Sequence, residues 1–301
     1  MSHPELSNIP VIMGAAKPQK QKLSKTSWLI HGPDGLWFQG ISNPQNLTNV
    51  SKKADKFYCD TVAANAGATL LALGPLTNIA DAYKKCPDVM ATLARVVVLG
   101  GAKFGGNKTP VAEFNFWQDP EAADYVLAPP ARLPPLPIEL VPLDTFKVST
   151  VSQSDVATLF GSSNPASSFL ALPLMQYVTV QISNTYTATI PDAVAAVYAV
   201  SPTIGITENT LVKMVMEKGQ ARGQSVIGLT IPERIAMIAD DDELSRLAER
   251  AFPPPYYYPD SNFNLQVALG TILLRQPDNA KMLTWIPANL LTELVLPDLR
   301  R

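Results

Sequence analysis

The chain lacks an excess of either charge, long apolar runs, and any stock of cysteine or histidine. Its 24 basic and 26 acidic side chains leave a formal charge of −2, with no basic stripe. That balance excludes nucleic acid as the main partner. No apolar run approaches the roughly 18 residues that a membrane-crossing helix needs. Residues 1–10 hold neither a basic stretch nor an apolar one, so no secretory leader is expected and a cytoplasmic location is inferred. Cys59 and Cys86 are too few for a disulfide framework; one bridge could form, but thiols in a reducing cytosol are the expectation. Only His3 and His31 accompany them, which excludes a structural zinc site and leaves a hard, oxygen-held cation as the metal to expect, if any.

Proline, by contrast, is plentiful. There are 27, clustered at 129–137 and 253–259, where they mark surface loops. With 301 residues, 47% of them hydrophobic, the chain can build a sizeable core, and 1–301 is read as a single domain. Strand and helix patterns alternate along it. Strands are expected at 9–13, 69–73, 95–99, 136–143 and 281–285, and a hairpin from 211–217 and 225–229. Helices are expected at 77–85, stopped by Cys86-Pro87, from Asp119, at 192–200, at 241–252 and at 287–296. The 192–200 stretch is apolar almost all round and is expected to be buried. The pattern implies an α/β fold with a mostly parallel central sheet and helices on both faces.

The most informative stretch is 100–123. An unbroken β-branched run, Arg95-Val-Val-Val-Leu99, leads into it, and Asp119-Pro120-Glu121 leads out with an N-cap acid, a proline at the first helical position and a first-turn acid. Ligands in open α/β sheets sit beyond the carboxyl ends of strands, where this loop lies. The segment from Gly101 to Thr109 nearly spells a phosphate-binding loop, but Asn107 separates Gly106 from Lys108 and Pro110 does not continue as a helix, so that assignment is set aside. Asn107, Glu113 and Asn115 are different. In an extended segment Glu113 and Asn115 face one side, with Phe114 and Phe116 facing the core. One carboxylate and two amides suit a polyhydroxyl ligand such as a sugar; they would equally serve to cap turns. Asp192 opens its helix either as an ordinary N-cap or as a carboxylate aimed at a metal or substrate. His31 lies in a Gly- and Pro-rich turn, solvated or facing a substrate. The acidic run at 240–243 reads as a helix N-terminus and not a metal site.

Taken in order, these segments resemble the inosine/uridine-preferring nucleoside hydrolases. The resemblance is carried by Ile9 to Ala16, by His31-Gly-Pro-Asp-Gly-Leu36, by Leu70-Leu-Ala-Leu-Gly-Pro-Leu-Thr-Asn-Ile-Ala80, by the Gly100 to Ala123 loop, and by Arg222-Gly-Gln-Ser-Val226. It implies calcium-dependent hydrolysis of the N-glycosidic bond of ribonucleosides, in purine and pyrimidine salvage, giving ribose and free base. Asn107, Glu113 and Asn115 would hold the ribose. Asp192 and the backbone carbonyl of Leu73 would be calcium ligands, and His31 would sit on the base side. Homo-oligomers are the family habit. Two departures stand out. The family's aspartate-rich stretch, with its general base, is not found, so the expectation is an N-terminally incomplete fold missing its first strand, with the catalytic base unassigned. Pro191 stands where many members carry a histidine. Alternatives therefore remain open: a non-catalytic ribose- or nucleoside-binding module, or an inactive truncated paralogue.

Overall fold

The computed structural model describes residues 9–24, 27–32, 34–37, 54–185, 188–251, 272–273 and 275–286. The strands are β1 (Thr69–Ala72), β2 (Arg95–Leu99), β3 (Ile138–Val141), β4 (Ile206–Met214), β5 (Ser225–Gly228) and β6 (Ala280–Trp285). The helices are α1 (Trp28–His31), α2 (Ala54–Ala64), α3 (Thr77–Lys85), α4 (Pro87–Met90), α5 (Phe114–Gln118), α6 (Pro120–Leu127), α7 (Leu143–Phe146), α8 (Gln153–Ala157), α9 (Pro165–Thr185), α10 (Pro191–Val200), α11 (Ile231–Ile238) and α12 (Asp241–Ala251). The sheet order is β1-β2-β3-β6-β4-β5. The first four strands in that order run parallel, while β4 is antiparallel to both β6 and β5.

The run 95–99 explains the layering. Val96 and Val98 enter one core with Ile79, Tyr83 and Val126, while Val97 and Leu99 enter a second core with Val178, Val194 and Tyr198. A strand buried on both faces needs no polar alternation, and Val96 to Val98 are fully buried. The α3 boundaries fall where the sequence pattern places them, and β4 and β5 pair as the expected hairpin, but β4 starts five residues before the expected 211–217 and ends at Met214.

Several expectations are corrected. Residues 9–13 form no strand element, only a single bridge at Ile12: Ile9, Val11 and Met13 are exposed, and Pro10 lacks the N–H that a ladder would use. The 136–143 strand shrinks to β3 because Pro137 and Pro142 bracket it, and Leu143 and Asp144 open α7. Helix α10 is only half buried; Val194, Ala195 and Tyr198 face the core, but Val200, its last residue, is 84% exposed. His31 ends α1 and does not lie within a turn, with Gly32 at φ 77° closing the helix. Cys59 and Cys86 are not free thiols: they form a disulfide joining α2 to the α3–α4 junction, two segments that pack together with Cα atoms 6.1 Å apart. The expected helix at 287–296, the 253–259 proline cluster and His3 lie outside the described residues.

Helix α10 is moored to the sheet by a charged cluster. Arg95 donates through Nε and Nη2 to Glu139 Oε2 at 3.0 and 2.6 Å, through Nη1 to Ala199 O, and stacks over Tyr198, whose hydroxyl also donates to Glu139. Burial raises the Glu139 carboxyl, but these hydrogen bonds and the Arg95 charge outweigh it and hold it low. Glu139→Ala is expected to remove about 2–3 kcal/mol of stability by stranding Arg95. An unchanged denaturant midpoint would refute this.

Candidate functional site

The carboxyl ends of β1 and β2 open onto the 100–115 loop. This loop closes on itself: the N–H groups of Asn107, Lys108 and Thr109 converge on Ala112 O, and Asn107 Oδ1 accepts from Phe114 N at 2.8 Å. Gly106 permits the closure, since a Cβ there would lie 2.4 Å from Ala112 and Thr109 backbone atoms. The expected extended run through 113–115 is replaced by a helix start. Glu113 is the N-cap of α5, and its carboxylate accepts from Asn115 N at 2.8 Å and Phe116 N at 3.1 Å. It also accepts from Gly101 N at 3.0 Å, which ties the loop's end to its beginning. A Glu cap satisfying buried N–H groups is what turns the chain helical here.

The turn-capping reading is thus met by Glu113 and Asn107. Asn115 Nδ2 donates to Leu99 O at 2.9 Å, at the end of β2, and toward Leu73 O at 3.5 Å, just past β1. Asn115 Oδ1 and Asn107 Nδ2 make no hydrogen bond to the described residues. Phe116 is fully buried, as expected, whereas Phe114 is only half buried. Burial pushes the Glu113 carboxyl up to about 7, with the N–H groups of Asn115, Phe116, Gly101 and Phe114 pulling it back.

A second group forms nearby. The His31 ring stacks on Tyr177 with centroids 5.7 Å apart and planes 13° from parallel. Asp192 interacts electrostatically with both: desolvation by the packed protein raises its carboxyl, while its own backbone N–H and the His31 charge act against that. It does not serve as an N-cap; that position is Ile190, and Asp192 lies in the first turn. Ala199, near the end of α10, meets Arg95 at the start of β2, so the helix runs back along the strand and brings Asp192 toward the strand's carboxyl end. The structure thereby groups Asn107, Glu113, Asn115 and Leu73, and separately His31 and Asp192. Tyr177, which brings its ring to His31, lies within the long helix α9.

A calcium ion takes about six to eight oxygen ligands. Asp192 and Leu73 O would offer two, and Leu73 O already faces Asn115 Nδ2. Among the described residues no group of three or more His, Cys, Asp or Glu side chains could hold a metal. The described donors therefore do not make a calcium shell. None of the described helices is long and apolar enough to cross a membrane.

Comparison with known proteins gives a consistent result. A family model described as "Inosine-uridine preferring nucleoside hydrolase" matches residues 2–264. The chain is 44% identical over 120 residues to "Probable uridine nucleosidase 2" of Oryza sativa subsp. japonica, covering 39% of this chain and 36% of that protein. It is 34% identical over 169 residues to "Pyrimidine-specific ribonucleoside hydrolase RihA" of Salmonella arizonae, covering 55% and 51%. The chain thus spans between about a third and a half of the length of these relatives. Among solved structures, "Plant nucleoside hydrolase - PpNRh1 enzyme" aligns with a TM-score of 0.73 at 21% identity, over 97% of this chain and 80% of that one. "Inosine-Guanosine Nucleoside Hydrolase (IG-NH)" aligns with 0.72 at 21%, over 98% and 82%.

Proposed function

The chain belongs to the inosine-uridine preferring nucleoside hydrolase family, and from that membership we propose that it binds a ribonucleoside at the carboxyl ends of β1 and β2 and hydrolyses its N-glycosidic bond. Water adds at the ribose anomeric carbon, the carbon–nitrogen bond breaks, and the base leaves with a proton, giving ribose and free base. The observation that carries this is the set Asn107, Glu113 and Asn115. Among the described residues, Asn107 Nδ2 is a spare donor, Asn115 Oδ1 a spare acceptor, and Glu113 Oε1 accepts one hydrogen bond. Vicinal hydroxyls, which both donate and accept, complement such a mixture. A negative carboxylate beside the sugar also favours the positive charge that develops on it as the base departs. The stacked His31–Tyr177 pair is assigned to the base side, where an aromatic face suits a planar heterocycle. Calcium is the metal expected from the resemblance. Asp192 and Leu73 O are this chain's own donors toward it and do not complete a shell, so no chemical step is assigned to the ion.

The test is release of ribose from uridine, inosine and adenosine by the folded chain, with calcium and with a chelator. Release above the uncatalysed rate is the expected result. Binding without release would favour the nucleoside-binding alternative, and neither binding nor release would overturn the proposal.

A further inference from the structure

The turn that follows β2 carries an unusual arrangement. Its consecutive backbone N–H groups, from Gly101 to Phe104, are each taken by a side chain from elsewhere. Gly101 N donates to Glu113 Oε2 at 3.0 Å and Ala102 N to Ser225 Oγ at 2.8 Å. Lys103 N donates to Asp144 Oδ2 at 2.6 Å and Phe104 N to Asp144 Oδ1 at 3.0 Å. Ser225 Oγ donates in turn to Ala102 O at 2.9 Å, and Leu143 N donates to Gly101 O at 2.9 Å. Gly101 supports the turn with φ 77°. Successive N–H groups curved in this way form a concavity that prefers anionic acceptors. Here the acceptors come from the candidate ribose loop, the start of β5 and the start of α7.

Asp144 and Ser225 therefore grip the same short turn that grips Glu113. Ser225 is 3% exposed and sits on a strand fixed by its pairing with β4. Asp144 lies in α7, three residues past the end of β3. Among the described residues neither hydrogen-bonds to the side chain of Asn107, Glu113 or Asn115. Both hold the backbone of the residues that follow Gly101 in the turn, and the Gly101 N–H is one of the three that hold the Glu113 carboxylate in place.

We propose that Asp144 and Ser225 are positioning residues for ribose recognition, acting through the Gly101 N–H on Glu113. The proposal rests on the assignment of Glu113 to the sugar. Asn in place of Asp144 keeps the side chain's shape but turns one acceptor into a donor facing a backbone N–H. One of the two N–H groups is then unheld, and the turn relaxes.

The experiment compares the full chain with Asp144→Asn and Ser225→Ala by calorimetric titration with uridine and inosine, alongside the amide proton shift of Gly101 in labelled protein. A charged acceptor shortens and strengthens an amide hydrogen bond, so loosening it moves that proton upfield. The expected result is an upfield Gly101 shift together with a loss of nucleoside affinity of about tenfold or more. A role confined to stability would lower the melting temperature while leaving the Gly101 shift and the affinity of the folded protein unchanged, and that result overturns the proposal. Lost affinity with an unmoved Gly101 proton overturns it too. Should Asp144→Asn not fold, Ser225→Ala decides. A wild-type chain that binds neither nucleoside sinks the assignment of the sugar to Glu113; the relay to Gly101 then stands or falls on the proton shift alone.

Discussion

Glu113→Ala is expected to lower the unfolding free energy by about 3 kcal/mol and to abolish nucleoside binding. The substitution strands the N–H groups of Gly101, Asn115 and Phe116, which the carboxylate now satisfies inside the protein. Each unsatisfied buried donor costs about 1–3 kcal/mol, partly offset by no longer burying a charge. Glu113→Gln separates the two effects through pH. The folded-state carboxyl is raised from its ordinary 4.5 to about 7, mainly by burial. Between those values the native protein holds a proton that the unfolded chain has released. Stability contributed by this group is therefore full below pH 4.5 and falls as pH rises to about 7, by up to about 3 kcal/mol in all. Glu113→Gln should flatten that portion of the stability–pH curve. Nucleoside affinity should run the opposite way, strengthening as pH passes 7 and the ionised carboxylate accepts a ribose hydroxyl. Chemical denaturation between pH 4 and 8 checks the first limb; parallel slopes for the wild type and Glu113→Gln would refute it.

Removing the disulfide is the second change with a large expected effect. Cys59 and Cys86 are 27 residues apart. A closed loop of that size restricts the unfolded chain enough to stabilise the fold by ~3–4 kcal/mol. The paired variant Cys59→Ala with Cys86→Ala, or the wild type in reductant, should unfold at correspondingly lower guanidinium concentration. The loss should be felt first in α2, of whose residues only Val62 is buried. Hydrogen exchange should show α2 opening before β2 does. A stability change within about 0.5 kcal/mol, the range of an ordinary surface substitution, would refute the role. Thiol titration of the native chain addresses the expectation it replaces: two reactive thiols would mean the bridge is absent in solution. Bridges persist in oxidising compartments, so the disulfide and the cytoplasmic expectation pull in opposite directions.

The parts of the fold that could be read in the sequence are those set by local pattern. The run at 95–99 has one comfortable state, a strand covered on both faces. Helix α6 starts where Asp119, Pro120 and Glu121 announce it, and the Asp119 side chain caps it by accepting from Ala122 N while also accepting from Thr77. Helix α5 was hidden because its cap is a glutamate, outside the usual Ser, Thr, Asp and Asn, and because five residues leave no periodic signature. Asn107, Glu113 and Asn115 stand out in the sequence by type and spacing as candidate ribose contacts, but their inward hydrogen bonds do not, because these depend on segments distant in sequence. Asp144 and Ser225 were invisible for the same reason: nothing near 144 or 225 hints at a turn that begins at Gly101. The seating of β6 between β3 and β4 likewise follows from tertiary packing alone.

The converging N–H groups at Ala112 O and along the Gly101 turn mean that the candidate sugar loop settles its shape when the chain folds. On the proposed function, a nucleoside would then meet a receptor with little left to order. The entropy that a floppy loop would surrender on binding has been given up beforehand, which leaves more of each contact available as affinity. Such a site would be expected to associate in a single concentration-dependent phase, with differences among nucleosides appearing chiefly in how fast each departs.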